Sequence, residues 1–268
     1  MEVREFLFYP IKENSYSFSV RAKKSGVFSG AESLETMAAE LDLRNVMMVP
    51  EGEVLSSGSM VFSATSDAET VAKAEEMLLG VIGKSSGVAT AAAAFAHQGE
   101  KVKVKVVCGA WKKLNSALRK ELRRAVMTGG VGLRMTEEPF IYLDKNYIRM
   151  FHGIAAAVAR AKQFDPARLV VAQLRGESTD IAAEANLAVA ARADILMIDT
   201  GQIGDFKMAA NAAEEGGWRT RVQLAFAGGV SVKQLAQLSD LGADIVDVGR
   251  AILDAPLLDF SLDVEGEA

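Results

Sequence analysis

The hydrophobic positions of this chain change rhythm near residue 100. Before it, residues 17–22 (Ser-Phe-Ser-Val-Arg-Ala) alternate polar and apolar, the period of a half-buried strand, and Lys24-Ser25-Gly26 reads as its turn. Helical spacing follows over 31–41, and 58–64 reads as a second strand. Residues 68–96 carry a long alanine-rich helical pattern in which Gly80, Gly83 and Gly87 fall. Either two helices or one helix packed closely on a neighbour is expected there.

Beyond residue 100, strands and helices alternate. Strands are expected at 102–108, 140–143, 168–174, 194–199, 222–227 and 244–248, with helices at 116–127, 153–162, 179–191, 207–215 and 232–241. Six strands separated by helices make a parallel sheet, open or closed into a barrel. The expected fold class is therefore α/β, with an N-terminal domain over 1–98 and a barrel domain over 99–251. The tail, 252–268, is too short for a domain and is expected to pack back on the first part.

Composition narrows the function. Half of the 268 residues are hydrophobic, enough for a sizeable core. A net charge of −5 and a pI near 5.3 argue against a general nucleic-acid binder, whose footprint is basic. A local basic pocket for an anionic metabolite remains compatible with that balance. The single cysteine, Cys108, excludes an intrachain disulfide and suits a reducing compartment, and two histidines, His97 and His152, are a poor basis for a zinc site. The N-terminus carries Glu2, Arg4 and Glu5 and lacks the apolar run of a signal peptide. The most apolar stretch, 88–96, is about half the length a membrane helix needs. A cytoplasmic protein without membrane or nucleic-acid partners is expected.

In α/β sheets and barrels, ligands bind at the carboxyl ends of the strands. That rim here consists of 109–113 (Gly-Ala-Trp-Lys-Lys), Asp144-Lys145-Asn146, 173–177, Asp199-Thr200, Ala227-Gly228-Gly229 and Gly249-Arg250. Two glycine turns on neighbouring strands let backbone amides approach a phosphate, and a following helix adds its dipole. The alternative is that they are only tight strand-to-helix turns. Asp199 is placed either to hold sugar hydroxyls or a divalent metal, or to cap a helix. Lys112 and Lys113 are placed to neutralise a pyrophosphate. Arg134 either grips a carboxylate or phosphate or makes a surface ion pair. Arg119, Lys120, Arg123 and Arg124 read as a solvated helix face. His152 and Trp111 are assigned structural parts. No nucleophile elbow or Walker loop is present.

Several segments, in order, resemble one family. Residues 86–90 (Ser-Gly-Val-Ala-Thr) are similar to its S-G-I-A-T helix, and 125–130 (Ala-Val-Met-Thr-Gly-Gly) to its A-V-x-x-G-G segment. Asn146-Tyr147-Ile148 resembles N-H-I, Ile198-Asp199-Thr200 resembles L-D-N, and 227–230 resembles S-G-G-I. Val248-Gly249 follows in place, and 258–263 (Leu-Asp-Phe-Ser-Leu-Asp) resembles L-D-x-S-L-D. The family is quinolinate phosphoribosyltransferase (carboxylating nicotinate-nucleotide pyrophosphorylase).

The resemblance implies a small α/β sandwich, completed by the tail, beside an open barrel of six parallel strands, working as a homodimer. It implies transfer of phosphoribose from phosphoribosyl pyrophosphate, as its Mg2+ complex, to a ring nitrogen, a pathway step of NAD biosynthesis. By position, Gly228, Gly229 and Gly249, with Arg250 beside them, belong to the phosphate cage, and Asp199 is the acid. Lys113 matches the lysine of a T-R-K-T loop whose arginine is replaced by Lys112, and Arg134 matches the arginine of an H-R pair. Leu133 occupies the histidine position, Asp144 a lysine position that Lys145 is placed to serve, and Glu76 an arginine position that reaches across the dimer. The E-V-E-V acid falls at Gln173, or at Glu177 with a gap. Quinolinate is a dianion, and several of the groups that would hold it are neutral or acidic here, so a less acidic aromatic or heterocyclic acceptor is expected. Two alternatives stand beside this: a catalytically degenerate member that binds a phosphorylated metabolite or partner, and a different barrel enzyme using Lys145.

Overall fold

A computed structural model describes residues 3–268; Met1 and Glu2, part of the N-terminal reading above, lie outside the described residues. The chain divides into two compact units: Met1–Ala94 with Lys113–Val131 and Ile252–Ala268, and Phe95–Lys112 with Gly132–Ala251.

The first unit contains β1 (Ser15–Ala22), β2 (Gly26–Val27), β3 (Arg44–Met48), β4 (Val54–Leu55) and β5 (Met60–Asp67). Strands β1, β5 and β3 and the C-terminal strand (Phe260–Glu267) form a four-stranded sheet in which the tail strand pairs antiparallel with β1. The alternation read in 17–22 places Phe18, Val20 and Ala22 on one buried face. Across it, Val20 faces Phe62 on β5 and Leu262 on the tail. Strand β3 carries little alternation, being mostly exposed, and gave no sequence signal.

Helices α1 (Val3–Phe8), α2 (Ala31–Glu40) and α3 (Ala68–Val102) follow in the same unit, which takes α3 as far as Ala94. The glycines of α3 do not split it: the helix runs unbroken for 35 residues. Val71, Ala74, Leu78, Ile82, Ser85, Ala89 and Ala92 are buried, a stripe at steps of three or four residues that keeps one face inward. Gly87 is required by its neighbour, since a Cβ there would lie 2.0 Å from the Pro256 carbonyl oxygen of the tail. The Leu258 amide donates to the Gly83 carbonyl at 3.0 Å beside it. By length and composition α3 is able to cross a membrane, which the shorter 88–96 reading missed; 56% of its apolar window is buried within the protein.

Residues 113–131 were expected in the barrel, yet they cluster with the first unit. There α4 (Arg119–Thr128) buries Leu122, Ala125 and Val126, and Lys120 and Arg124 pair with Glu32 of α2. One carboxylate ties these pieces: Glu51 accepts from Ser29 Oγ (2.6 Å), Thr128 Oγ1 (2.8 Å) and the amides of Gly30 and Ala31 (both 2.9 Å). It thereby satisfies the amides that open α2, whose own N-cap residue is a glycine.

The second unit is built on β6 (Lys105–Val107), β7 (Phe140–Leu143), β8 (Leu169–Leu174), β9 (Ile195–Ile198), β10 (Gln223–Ala227) and β11 (Ile245–Asp247). They lie parallel in the order β6-β11-β10-β9-β8-β7. Val107, Val171, Ile195, Met197, Ala225, Ala227 and Ile245 share one core cluster, with Phe140 and Tyr142 packed against it. Both edge strands thus reach the same interior, as in an open barrel. Between strands run α5 (Lys145–Met150), α6 (Ile154–Phe164), α7 (Ile181–Ala190), α8 (Ile203–Glu215) and α9 (Gln234–Asp240). The short α5 was not expected from the sequence, and β6 begins three residues later than read because α3 continues to Val102.

Two outcomes are expected. Gly87→Ala overpacks α3 against the tail and lowers stability by about 1–3 kcal/mol, read as a shifted urea midpoint with unchanged slope. Burial pushes the Glu51 carboxyl up, but the hydrogen bonds from Ser29, Ala31, Thr128 and Gly30 together hold it below its ordinary value of 4.5. A carboxylate lowered by folding contributes stability above the unfolded pKa and loses it as pH falls through the folded one. Glu51→Gln should therefore cost about 1–2 kcal/mol near neutral pH, a difference that shrinks in urea titrations below pH 4.5.

Candidate active site

Parallel strands deliver all their carboxyl-end loops to one end of the barrel unit. The first loop, after β7, begins with Asp144. It is the N-cap of α5, accepting from the amides of Asn146 (3.0 Å) and Tyr147 (3.3 Å). Its other oxygen accepts from Lys112 Nζ at 2.9 Å. Burial pushes this carboxyl up, and the Lys112 hydrogen bond with the two amides outweighs it, so the net shift is downward. Asp144 is thus a charged helix cap with a lysine partner from the loop after β6.

Gln173, buried at the end of β8, joins two neighbouring loops. Its Oε1 accepts from the Lys145 amide at 2.6 Å, and its Nε2 donates to Asp199 Oδ2. Arg175 reaches the same acid, donating to the Asp199 carbonyl at 2.6 Å with its guanidinium 3.7 Å from the carboxylate. Asp199 does not cap the next helix; Gln202 stands at the N-cap of α8. The backbone of 175–177 is held by the buried Glu184, which accepts from the amides of Arg175, Gly176 and Glu177 at 3.0, 2.9 and 3.0 Å.

Next along the rim, backbone meets backbone. A Cβ on Gly228 would lie 2.5 Å from the Gly201 nitrogen, and one on Gly201 would lie 2.8 Å from the Gly228 carbonyl oxygen. Both have left-handed φ, +113° and +71°. Gly229, at φ +74°, faces open space. The dipole expected behind it is weak, because α9 starts only at Gln234, whose side chain already accepts from the Ser231 amide (2.9 Å). On the adjoining loops, Gly249 lies against Ala110, Arg250 opens a short helix with its side chain exposed, and Asp247 accepts from the Gly109 amide at 2.8 Å.

Tyr142, which the sequence reading passed over, points from the inner face of β7 toward these acids. Burial first, then the carboxylates of Asp199, Asp247 and Asp144, hold its phenol above the ordinary range against the opposing Arg175. It therefore stays a neutral hydroxyl. Cys108 is likewise inert: burial, then Asp247, push its thiol up to about 12. The signal for Tyr142 was its two-residue spacing from Phe140; Arg175 and Asp247 carried none beyond their places at strand ends.

Beside Asp199 lies a cavity of about 240 Å3 lined by Lys145, Ile148, Arg149, His152, Gln173 and Arg175, with Glu177 and Glu184 on its wall. His152, assigned a structural part by sequence, turns the chain here with φ +58°.

The structure thus brings Lys112, Lys145, Gln173, Asp199, Gly228, Gly229, Gly249 and Arg250 to the strand ends of one unit. Arg134 is in the same unit and exposed, with its guanidinium over the Phe140 ring at 5.3 Å. Lys113 closes a 3-10 turn at Ala110–Lys113 and clusters with the first unit, as does Glu76, which pairs with Arg4.

The two rim glycines predict different costs. Gly228→Ala combines a left-handed φ with a backbone clash and should cost about 2–4 kcal/mol; Gly229→Ala has only the φ strain and should cost about 1–2 kcal/mol. Paired urea denaturation curves check the order.

Comparison with known proteins places this geometry. Residues 6–86 match the family described as quinolinate phosphoribosyl transferase, N-terminal domain, and 88–263 match quinolinate phosphoribosyl transferase, C-terminal domain. A "Probable nicotinate-nucleotide pyrophosphorylase [carboxylating]" of Methanothermobacter thermautotrophicus is 25% identical over 246 residues, 91% of this chain and 87% of that protein. The human nicotinate-nucleotide pyrophosphorylase [carboxylating] is 24% identical over 242 residues, 90% and 80% of the two chains. The crystal structure of the Pyrococcus furiosus nicotinate-nucleotide pyrophosphorylase superposes with a TM-score of 0.84 at 21% identity, over 99% of this chain and 73% of that one. With an antiparallel sheet unit and a six-stranded parallel barrel unit, and both halves matched, the chain belongs to the quinolinate phosphoribosyl transferase family.

Proposed function

We propose that this protein transfers phosphoribose from phosphoribosyl pyrophosphate to the ring nitrogen of an aromatic or heterocyclic acceptor less acidic than quinolinate. The observation that carries the reading is Asp199 standing two residues from the Gly201–Gly228 contact, with the open Gly229 next to it. In this reading the backbone of Gly228, Gly229 and Gly249 cradles the 5′-phosphate, with Arg250 supplying charge. Asp199 orients the sugar hydroxyls. The ring nitrogen's lone pair forms the bond to the sugar C1 as the C1–O bond breaks, and that electron pair leaves with pyrophosphate. Lys112 and Arg134 serve the leaving group. Lys112 is largely exposed, so leaving Asp144 for a pyrophosphate costs it little.

Magnesium belongs to this reading as the donor's counterion. Among the described residues no group of three or more His, Cys, Asp or Glu side chains is placed to hold a metal. Magnesium needs only one or two carboxylates when substrate phosphates complete its shell. Asp199 fits, since it is a strand-end carboxylate whose Oδ2 is held in place by Gln173 and Arg175. When bound, the ion neutralises the pyrophosphate charge.

Against quinolinate stands Asp144. Where the family has a lysine, this chain has a cap acid whose charge is needed by α5. A homodimer belongs to the same reading, although Glu76 replaces the arginine that would reach across it. A second reading, binding of a phosphorylated metabolite without turnover, is favoured by the pairing of Lys112, Arg149 and Arg175 with acids.

Pyrophosphate release is the test, with phosphoribosyl pyrophosphate, magnesium and a panel of pyridine and other nitrogen-ring acids including quinolinate. Release is expected with an acceptor other than quinolinate, and Asp199→Asn should lower kcat/KM by about 100-fold or more. Calorimetric binding of the donor without release from any acceptor would select the second reading; no binding at all would sink both.

A further inference from the structure

The cavity beside Asp199 has a composition of its own. Its floor includes Ile148 and Ile154, and its charged lining is Lys145, Arg149 and Arg175 against Glu177 and Glu184, one positive charge in excess. Arg149 presents a full fork to Glu177: Nε to Oε2 at 2.8 Å and a terminal nitrogen to Oε1 at 2.7 Å. That is the geometry in which a guanidinium receives any carboxylate. The backbone under Glu177 is fixed by Glu184 through three amides, so the Glu177 side chain alone has to swing for the fork to open. Arg175 already stands 3.7 Å from Glu177 and is a ready second partner for it.

We propose that this cavity is the acceptor subsite and that it selects a flat ring bearing one carboxylate, which displaces Glu177 from Arg149. The proposal rests on the phosphoribosyl-transfer reading and names its substrate class. Size allows it: a cavity of roughly 150 Å3 suffices for benzene, and this one holds about 240 Å3. Position allows it, because Gln173 and Arg175 form the cavity wall and both touch Asp199. Charge favours a monoanion. A second carboxylate would meet the displaced Glu177 with a single unit of positive charge already consumed. Arg149 is then a specificity residue, and Glu177 an internal competitor that weakens binding of anything lacking a planar acid group.

Benzoate, which has the ring and the acid but no ring nitrogen, separates binding from transfer. Titrated calorimetrically into the full chain, benzoate should bind saturably, and phthalate, with two carboxylates, no more tightly. Arg149→Ala should weaken benzoate by about tenfold; Arg149→Lys should recover only part of that, lacking the fork; Glu177→Gln should tighten it. Absence of saturable benzoate binding, or affinity indifferent to Arg149→Ala, overturns the subsite. If benzoate binding follows Arg149 while no acceptor releases pyrophosphate, the transfer reading fails and the subsite stands. If an acceptor is turned over with a KM indifferent to Arg149→Ala, the subsite fails and transfer stands.

Discussion

The rim of the barrel unit depends on one steric constraint, the backbone contact of Gly201 with Gly228. Two strand-end loops touch with no side chain between them, and both residues hold a left-handed φ that other L-residues resist. Because β9 and β10 lie side by side and parallel, that contact fixes Asp199 on one loop relative to Gly229 on the other. In the proposed transfer, an acid that orients a sugar and an open backbone turn that receives a phosphate would need a constant separation. A close glycine contact supplies it more rigidly than a pair of flexible side chains would.

Charge is the second organising element, and at this rim it is balanced in pairs. Lys112 meets Asp144, Arg149 meets Glu177, and Arg175 lies between Glu177 and Asp199. Asp144 shows why such a balance is hard to alter one residue at a time. It caps α5 through two amides and so stabilises the helix that carries Lys145 and Arg149. Replacing it with a lysine would add a cation for an acidic ligand while removing the cap that positions two others. Tyr142, buried and under the influence of Asp199, Asp247 and Asp144, keeps its proton beside these pairs.

Much of the fold was legible because it is written in local periods. The six barrel strands and their helices follow from alternation and helical spacing, and the rim residues follow from lying just after those strands. Gly83 and Gly87 left open two helices or one closely packed helix, and the backbone of Pro256 and Leu258 approaching them decides for the single packed helix. Errors arose where a distant segment overruled a local signal. Residues 113–131 read as part of the barrel, yet Glu51 and Glu32 tie them to α2 in the other unit. Helix α5 was missed because its cap, Asp144, was read as a ligand position.

The sequence by itself determined the alternation of strands and helices, the family and the rim glycines, since each of these is a property of residue order and spacing along one chain. Only the tertiary structure decided which acid meets which cation, that Gln173 bridges the Lys145 amide to Asp199, and that Arg149 and Glu177 guard a cavity. Hydrogen bonds and ion pairs act over a few ångströms in space, and a parallel sheet brings together residues tens of positions apart. Residue spacing along the chain carries no measure of that distance until the strands are paired in register.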